Sequence, residues 1–121
     1  MRKLHVQFAL VLATFQCLLI HVLGRFITPI NNANIHLAVR NWLDDPVNAE
    51  AKFGHIKDWK TYKVTDMTGL FRYTDFNDDI SGWNVSQVTS FKQLLYRNDK
   101  FNGDISKWQT NKVVDMSFAF G

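Results

Sequence analysis

Four carboxylates lie near enough in sequence to hold a cation: Asp78, Asp79, Asp99 and Asp104. A calcium site collects about six to eight oxygens from acidic loops and backbone carbonyls. The spacing of these four matches no such loop, and aspartate is also a residue that closes tight turns. They are read as turn formers, and no metal or cofactor is expected. His36 and His55 are isolated, without a cysteine or second histidine at ligand spacing. Serine, histidine and aspartate all occur, yet the serines from Ser81 to Ser117 sit at or near repeat positions that packing explains. There is no glycine-flanked nucleophile turn and no phosphate loop. With no activated pair visible, catalysis is not expected. One modification motif remains, the N-glycosylation sequon Asn84-Val85-Ser86.

What positions these residues is a repeat. Trp59, Trp83 and Trp108 each sit in the same local pattern. The first copy runs Phe53, Ile56, Trp59, Val64, Met67, Phe71. The second runs Phe76, Ile80, Trp83, Val88, Phe91, Leu95. The third runs Phe101, Ile105, Trp108, Val113, Met116, Phe120. These residues are the expected core, with the tryptophans stacked inside rather than forming a ligand platform. Self-similarity at this period marks a solenoid, in which neighbours bury what one unit cannot. The Asp-Ile-Ser-x-Trp half reads as a short extended rung. Val88, Phe91, Leu94 and Leu95 have helical spacing, so the other half is expected to be a helix of about two turns, with Thr65, Thr89 and Asp115 as N-caps. Rungs would pair in parallel. Asn77 and Asn102 would form a ladder of buried amides at the turn between coils.

Ahead of the repeats, Ile35, Ala38, Val39, Trp42 and Leu43 form one apolar stripe behind a candidate N-cap, Asn34. Pro46 ends that helix near Asp44 and opens a second, Pro46 to Phe53, stopped by Gly54. These helices would cap the first coil. The chain begins with Arg2, Lys3 and an apolar run from Phe8 to Leu23, with Val22 and Gly24 at the positions of a cleavage site. That is a secretory signal, short of the roughly 20 apolar residues of a bilayer span. The expected organisation is a signal at 1–24, a linker at 25–33, a helical cap at 34–54 and repeats at 53–75, 76–100 and 101–121.

The one cysteine, Cys17, lies within that signal, so the rest holds together without disulfides. The formal charge is +3. Taking Arg2 and Lys3 from 14 basic side chains leaves 12 against 11 acidic ones, a net charge of +1. No basic run follows, which argues against a nucleic-acid partner.

The stretch Phe76-Asn77-Asp78-Asp79-Ile80-Ser81-Gly82-Trp83-Asn84-Val85-Ser86-Gln87-Val88-Thr89-Ser90-Phe91 resembles the 25-residue bacterial surface protein repeat, the BspA-like or mycoplasma-lipoprotein-type repeat. The resemblance covers residues 53–121, and Ala38 to Ile56 is similar to the segment that precedes such repeats. Phe91 stands where the pattern has Met, and Asn84 and Gln109 where it has Asp. The resemblance implies an α/β fold: a right-handed leucine-rich-repeat-like solenoid of short parallel rungs and short helices with an N-terminal helical cap. It also implies a secreted or cell-surface location and a noncatalytic, adhesion-like role on a protein or cell-surface ligand.

The expected interaction face is Lys57, Lys60, Gly82, Asn84, Lys107 and Gln109, with Lys57 and Lys107 aligned ahead of their tryptophans. The alternative is a structural or truncated segment of a longer array with no binding activity of its own. In that case self-association would run through an uncapped C-terminal coil bearing Ile105, Trp108, Val113, Met116 and Phe120.

Overall fold

The computed structural model describes residues 26–121. The expected signal at 1–24, with Cys17, lies outside the described residues. Helix α1 spans Ile35–Asp44 and helix α2 spans Pro46–Phe53. α1 buries Ile35, Ala38, Val39 and Trp42, while Leu43 falls at the margin of the stripe and stays exposed. Asn34 does not cap α1. Its side chain is turned back on the preceding turn, with Nδ2 donating to the Pro29 carbonyl at 2.7 Å. Asp45 does cap α2, accepting from the Asn48 N–H, and Pro46 occupies the first turn. Gly54 ends α2 with a φ of 79°, a conformation glycine adopts without steric cost. A 3-10 turn, Ile56–Asp58, follows.

The leucine-rich-repeat-like architecture of rungs and helices is not what the repeats form. Beyond Asp58 the described residues contain no helix and no sheet, only two isolated parallel bridges, Asp66 to Ser90 and Ser90 to Asp115. Those bridges lie in the half expected to be helical. The Ile-to-Trp half, expected to be extended, is a turn in every copy, with Trp59, Trp83 and Trp108 N–H groups donating to the Ile56, Ile80 and Ile105 carbonyls.

The backbone hydrogen bonds explain why. In the first repeat the N–H groups of Met67, Gly69, Phe71 and Tyr73 donate to the carbonyls of Ser90, Lys92, Leu94 and Tyr96, at 2.8–3.0 Å. In the second, Phe91, Gln93 and Leu95 donate to Asp115, Ser117 and Ala119. Intervening N–H groups, such as Leu70 and Arg72, close turns to the carbonyl three residues back. An α-helix needs its N–H groups for its own turns. Here alternate ones serve the neighbouring repeat instead. The left-handed φ of Gly69 (64°), Gln93 (54°) and Phe118 (56°), and again of Tyr73 and Arg97, turns the chain out of any helix at matching positions. The i, i+3, i+6, i+7 apolar spacing is produced by this succession of three-residue turns.

Repeats lie one against the next around a single core. Each tryptophan also binds the backbone behind it. Nε1 of Trp83 donates to Ile56 O at 2.7 Å, Trp108 to Ile80 O at 3.2 Å, and Trp59 to Gly54 O at 2.8 Å. Trp59 and Trp83 stack with centroids 5.9 Å apart. The segment around α1 supplies what an earlier repeat would supply. Thr89 N–H donates to Thr65 O, and the Val114 N–H donates to Thr89 O. In the same column, Thr65 N–H donates to Asn32 Oδ1 at 2.9 Å.

Twelve of the expected core residues are buried: Phe53, Ile56, Trp59, Val64, Met67, Phe71, Phe76, Ile80, Trp83, Val88, Phe91 and Leu95. Phe101, Ile105, Trp108 and Val113 are partly buried. Met116 and Phe120 are not core residues. They are 48% and 60% exposed, because among the described residues nothing lies over the third repeat, and Ala119 is buried in their place.

Candidate interaction face

All six residues of the expected face are exposed. Four come together. Gly82, Asn84, Lys107 and Gln109, with Trp83, Val85 and Ser86, line an open hollow of about 250 Å³ across the second and third repeats. Lys57 does not line it, although its carbonyl lies 3.6 Å from where a Gly82 Cβ would stand. Lys60 does not line it. Lys57 and Lys107 do not share a row either. Counted from the repeat isoleucines, Lys57 matches Ser81 and Ser106, whereas Lys107 matches Asp58 and Gly82.

The hollow has a built floor. Thr61, fully buried, donates its hydroxyl to Asn84 O at 2.9 Å and so ties the first repeat to the rim of the hollow. Asn84 Oδ1 accepts from the Ser86 N–H at 3.0 Å and the Ser86 hydroxyl at 2.6 Å, a side-chain turn that fixes the loop. On the third repeat, the Lys112 ammonium donates to Gln87 Oε1 at 2.7 Å. Lys107 faces the hollow in the only part of it that carries a full charge.

Three of the four aspartates weighed as calcium ligands are engaged otherwise. Asp79 and Asp104 close turns on Ser81 and Ser106, each at 2.9 Å, and Asp78 accepts from Trp42 Nε1 at 2.7 Å. Asn77 and Asn102 do form one rung of a ladder, Asn102 N–H to Asn77 Oδ1 at 2.7 Å, but on the exposed surface rather than within the core. The buried-side role falls to Asn98, which sequence reasoning passed over. Its Nδ2 donates to Phe76 O at 3.0 Å, and its Oδ1 accepts from the Lys100 and Phe101 N–H groups.

The turn carboxylates give the fold a pH signature. The Ser81, Ser106 and Ser117 hydroxyls, then their N–H groups, hold Asp79, Asp104 and Asp115 below the ordinary carboxylate range. Asp66 is lowered chiefly by the Thr68 hydroxyl. A lowered folded-state value means that stability is complete above the unfolded-state value and is lost as pH falls through the folded one. The thermal midpoint is therefore expected to be flat from neutral pH to about 5 and to fall below about 4. A pH series of thermal melts checks this, and replacing Ser106 and Ser117 by alanine should flatten the acid limb.

Residues 43–121 match the family described as Mycoplasma protein of unknown function, DUF285. No curated protein and no solved structure matches the chain. Among the described residues, no helix is long and apolar enough to cross a membrane.

Proposed function

We propose a function for a chain that belongs to the DUF285 family of Mycoplasma proteins: a noncatalytic repeat protein of the bacterial surface protein type, displayed outside the cell, that binds a protein or other surface ligand. Its binding face is the hollow formed by Gly82, Asn84, Lys107 and Gln109. The observation that carries this reading is the convergence of these four exposed residues, from two adjacent repeats, on one open polar surface. Such a surface offers contacts spread over neighbouring repeats rather than a deep pocket. That suits recognition of another macromolecule. Secretion follows from the signal-like segment at 1–24. A glycan on Asn84 would stand inside this hollow, so modification there and binding there exclude one another.

The test is binding of the labelled protein to cultured cells and to immobilised extracellular matrix protein. Lys107→Glu combined with Gln109→Glu is expected to lower binding about tenfold, since removing a charged interface contact costs on the order of 1–3 kcal/mol. The thermal midpoint should stay within a degree or two, because both side chains are exposed. Equal binding by wild type and variant removes the proposed face. The second reading, a structural segment of a longer array, is favoured by Val114, Met116, Phe118 and Phe120 being exposed together. It predicts that the wild-type chain itself binds nothing.

A further inference from the structure

Helix α1 and the Thr68–Thr74 segment of the first repeat enclose a cleft of about 390 Å³, distinct from the hollow around Lys107. It is lined by His36, Arg40, Leu43, Arg72 and two threonines, with Gly69 and Leu70 between them, and no carboxylate is among the lining residues. His36 and Arg40 stand one helical turn apart and so share a face of α1. Two guanidinium groups and an imidazole thus converge on one cavity in a chain whose charges are otherwise nearly balanced.

Two of the three groups are held in place. His36 Nε2 lies 2.9 Å from Thr68 O, and a carbonyl only accepts, so Nε2 carries the proton there. Arg72 Nη1 donates to Gln93 Oε1 at 3.1 Å. The Arg72 stem crosses Gly69, with Cδ 3.1 Å and Nε 3.3 Å from where a Cβ would stand. Any side chain at position 69 would displace it. Gln93 uses one of the five guanidinium N–H donors and leaves the others available. A planar fork held in this way matches the paired oxygens of an oxyanion. The cavity exceeds what a bare ion fills and lies within the range of small-molecule sites. Leu43 and Leu70 provide apolar wall for a carbon skeleton.

We propose that this cleft is an oxyanion-ester site, taking the phosphate or sulfate group of a small organic ester between Arg40 and Arg72. The proposal stands independently of the surface face described above.

The experiment is an NMR titration of the ¹⁵N-labelled protein with glucose 6-phosphate, glucose 6-sulfate, inorganic phosphate and inorganic sulfate, against chloride at matched ionic strength. Saturable shifts are expected at the Thr68–Thr74 amides and arginine Nε signals, with the esters binding more tightly than the bare ions. Arg40→Gln and Arg72→Gln should each weaken the ester about tenfold, the effect of one charge-assisted hydrogen bond. Both side chains are exposed, so the fold should survive. Gly69→Ala tests the positioning of Arg72, with loss of affinity expected. Shifts no larger than chloride produces, or unchanged affinity in both arginine variants, overturn the proposal. Equal affinity for ester and bare ion overturns the ester assignment and leaves a free-anion site.

Discussion

Replacing Trp83 with alanine is expected to remove about 3–5 kcal/mol of stability, the usual cost of deleting a buried tryptophan. For a domain whose total stability is on the order of 5–15 kcal/mol, that approaches global unfolding. Trp83 is only 3% exposed and joins two repeats at once. Its ring stacks on Trp59 and tilts against Phe71, both at 5.9 Å. Its Nε1 donates to Ile56 O at 2.7 Å. Alanine removes the ring, opens a cavity between repeats and leaves the Ile56 carbonyl with the Trp59 N–H alone. Trp83→Phe separates these contributions. It keeps most of the apolar volume but removes one of the two bonds to that carbonyl, at about 0.5–1.5 kcal/mol. Urea denaturation should rank wild type above Trp83→Phe and Trp83→Phe above Trp83→Ala. If phenylalanine cost as much as alanine, the hydrogen bond would dominate. If alanine cost under about 1 kcal/mol, the stacked-repeat core would be the wrong description.

The same tryptophan shows what could be read from the amino-acid order and what could not. Trp59, Trp83 and Trp108 in register implied a core of stacked aromatics, and a repeat aligned on them placed most apolar side chains. The helices Ile35–Asp44 and Pro46–Phe53 were also legible, because a clean apolar stripe, a proline and a glycine mark their ends. The backbone of the repeats was not. Val88, Phe91, Leu94 and Leu95 carry the spacing of a helix face, and spacing does not say where an N–H group points. The left-handed residue that breaks the pattern is glycine only at Gly69. At the matching positions it is Gln93 and Phe118, which nothing in the sequence marks as left-handed. The two first-repeat face positions, Lys57 and Lys60, fall outside the hollow because the second and third repeats line it. Lys57 stands one place after Ile56 whereas Lys107 stands two after Ile105, and Lys60, although it matches Asn84 and Gln109, belongs to the first repeat. The cleft of Arg40 and Arg72 was invisible, since α1 and the first repeat meet only after folding.

Asn98 carries the second large effect. Asn98→Ala is expected to cost about 2–4 kcal/mol, because one side chain serves several backbone groups. Its amide nitrogen donates to Phe76 O, and its oxygen accepts from the N–H groups of Lys100 and Phe101, each at 3.0 Å. The bonds to Phe76 O and the Phe101 N–H reach the backbone at both rings of the stacked Phe76–Phe101 pair, whose centroids are 6.0 Å apart. Losing the amide would therefore loosen an apolar contact as well as polar ones. The corresponding residue one repeat earlier is Thr74, which donates to Phe71 O and accepts from the Phe76 N–H. A threonine at 98 could make the local bonds but could not span to Phe76. Asn98→Thr is accordingly expected to fall between wild type and alanine. Asn98→Asp should be worse than threonine at neutral pH. It keeps the acceptor but sets a carboxylate oxygen against the Phe76 carbonyl. Chemical denaturation of the three variants orders them, and protonating the aspartate at acid pH should narrow its gap from wild type. An aspartate variant as stable as wild type at pH 7 would show that the Phe76 carbonyl contributes little, and would confine the role of Asn98 to the turn at Lys100 and Phe101.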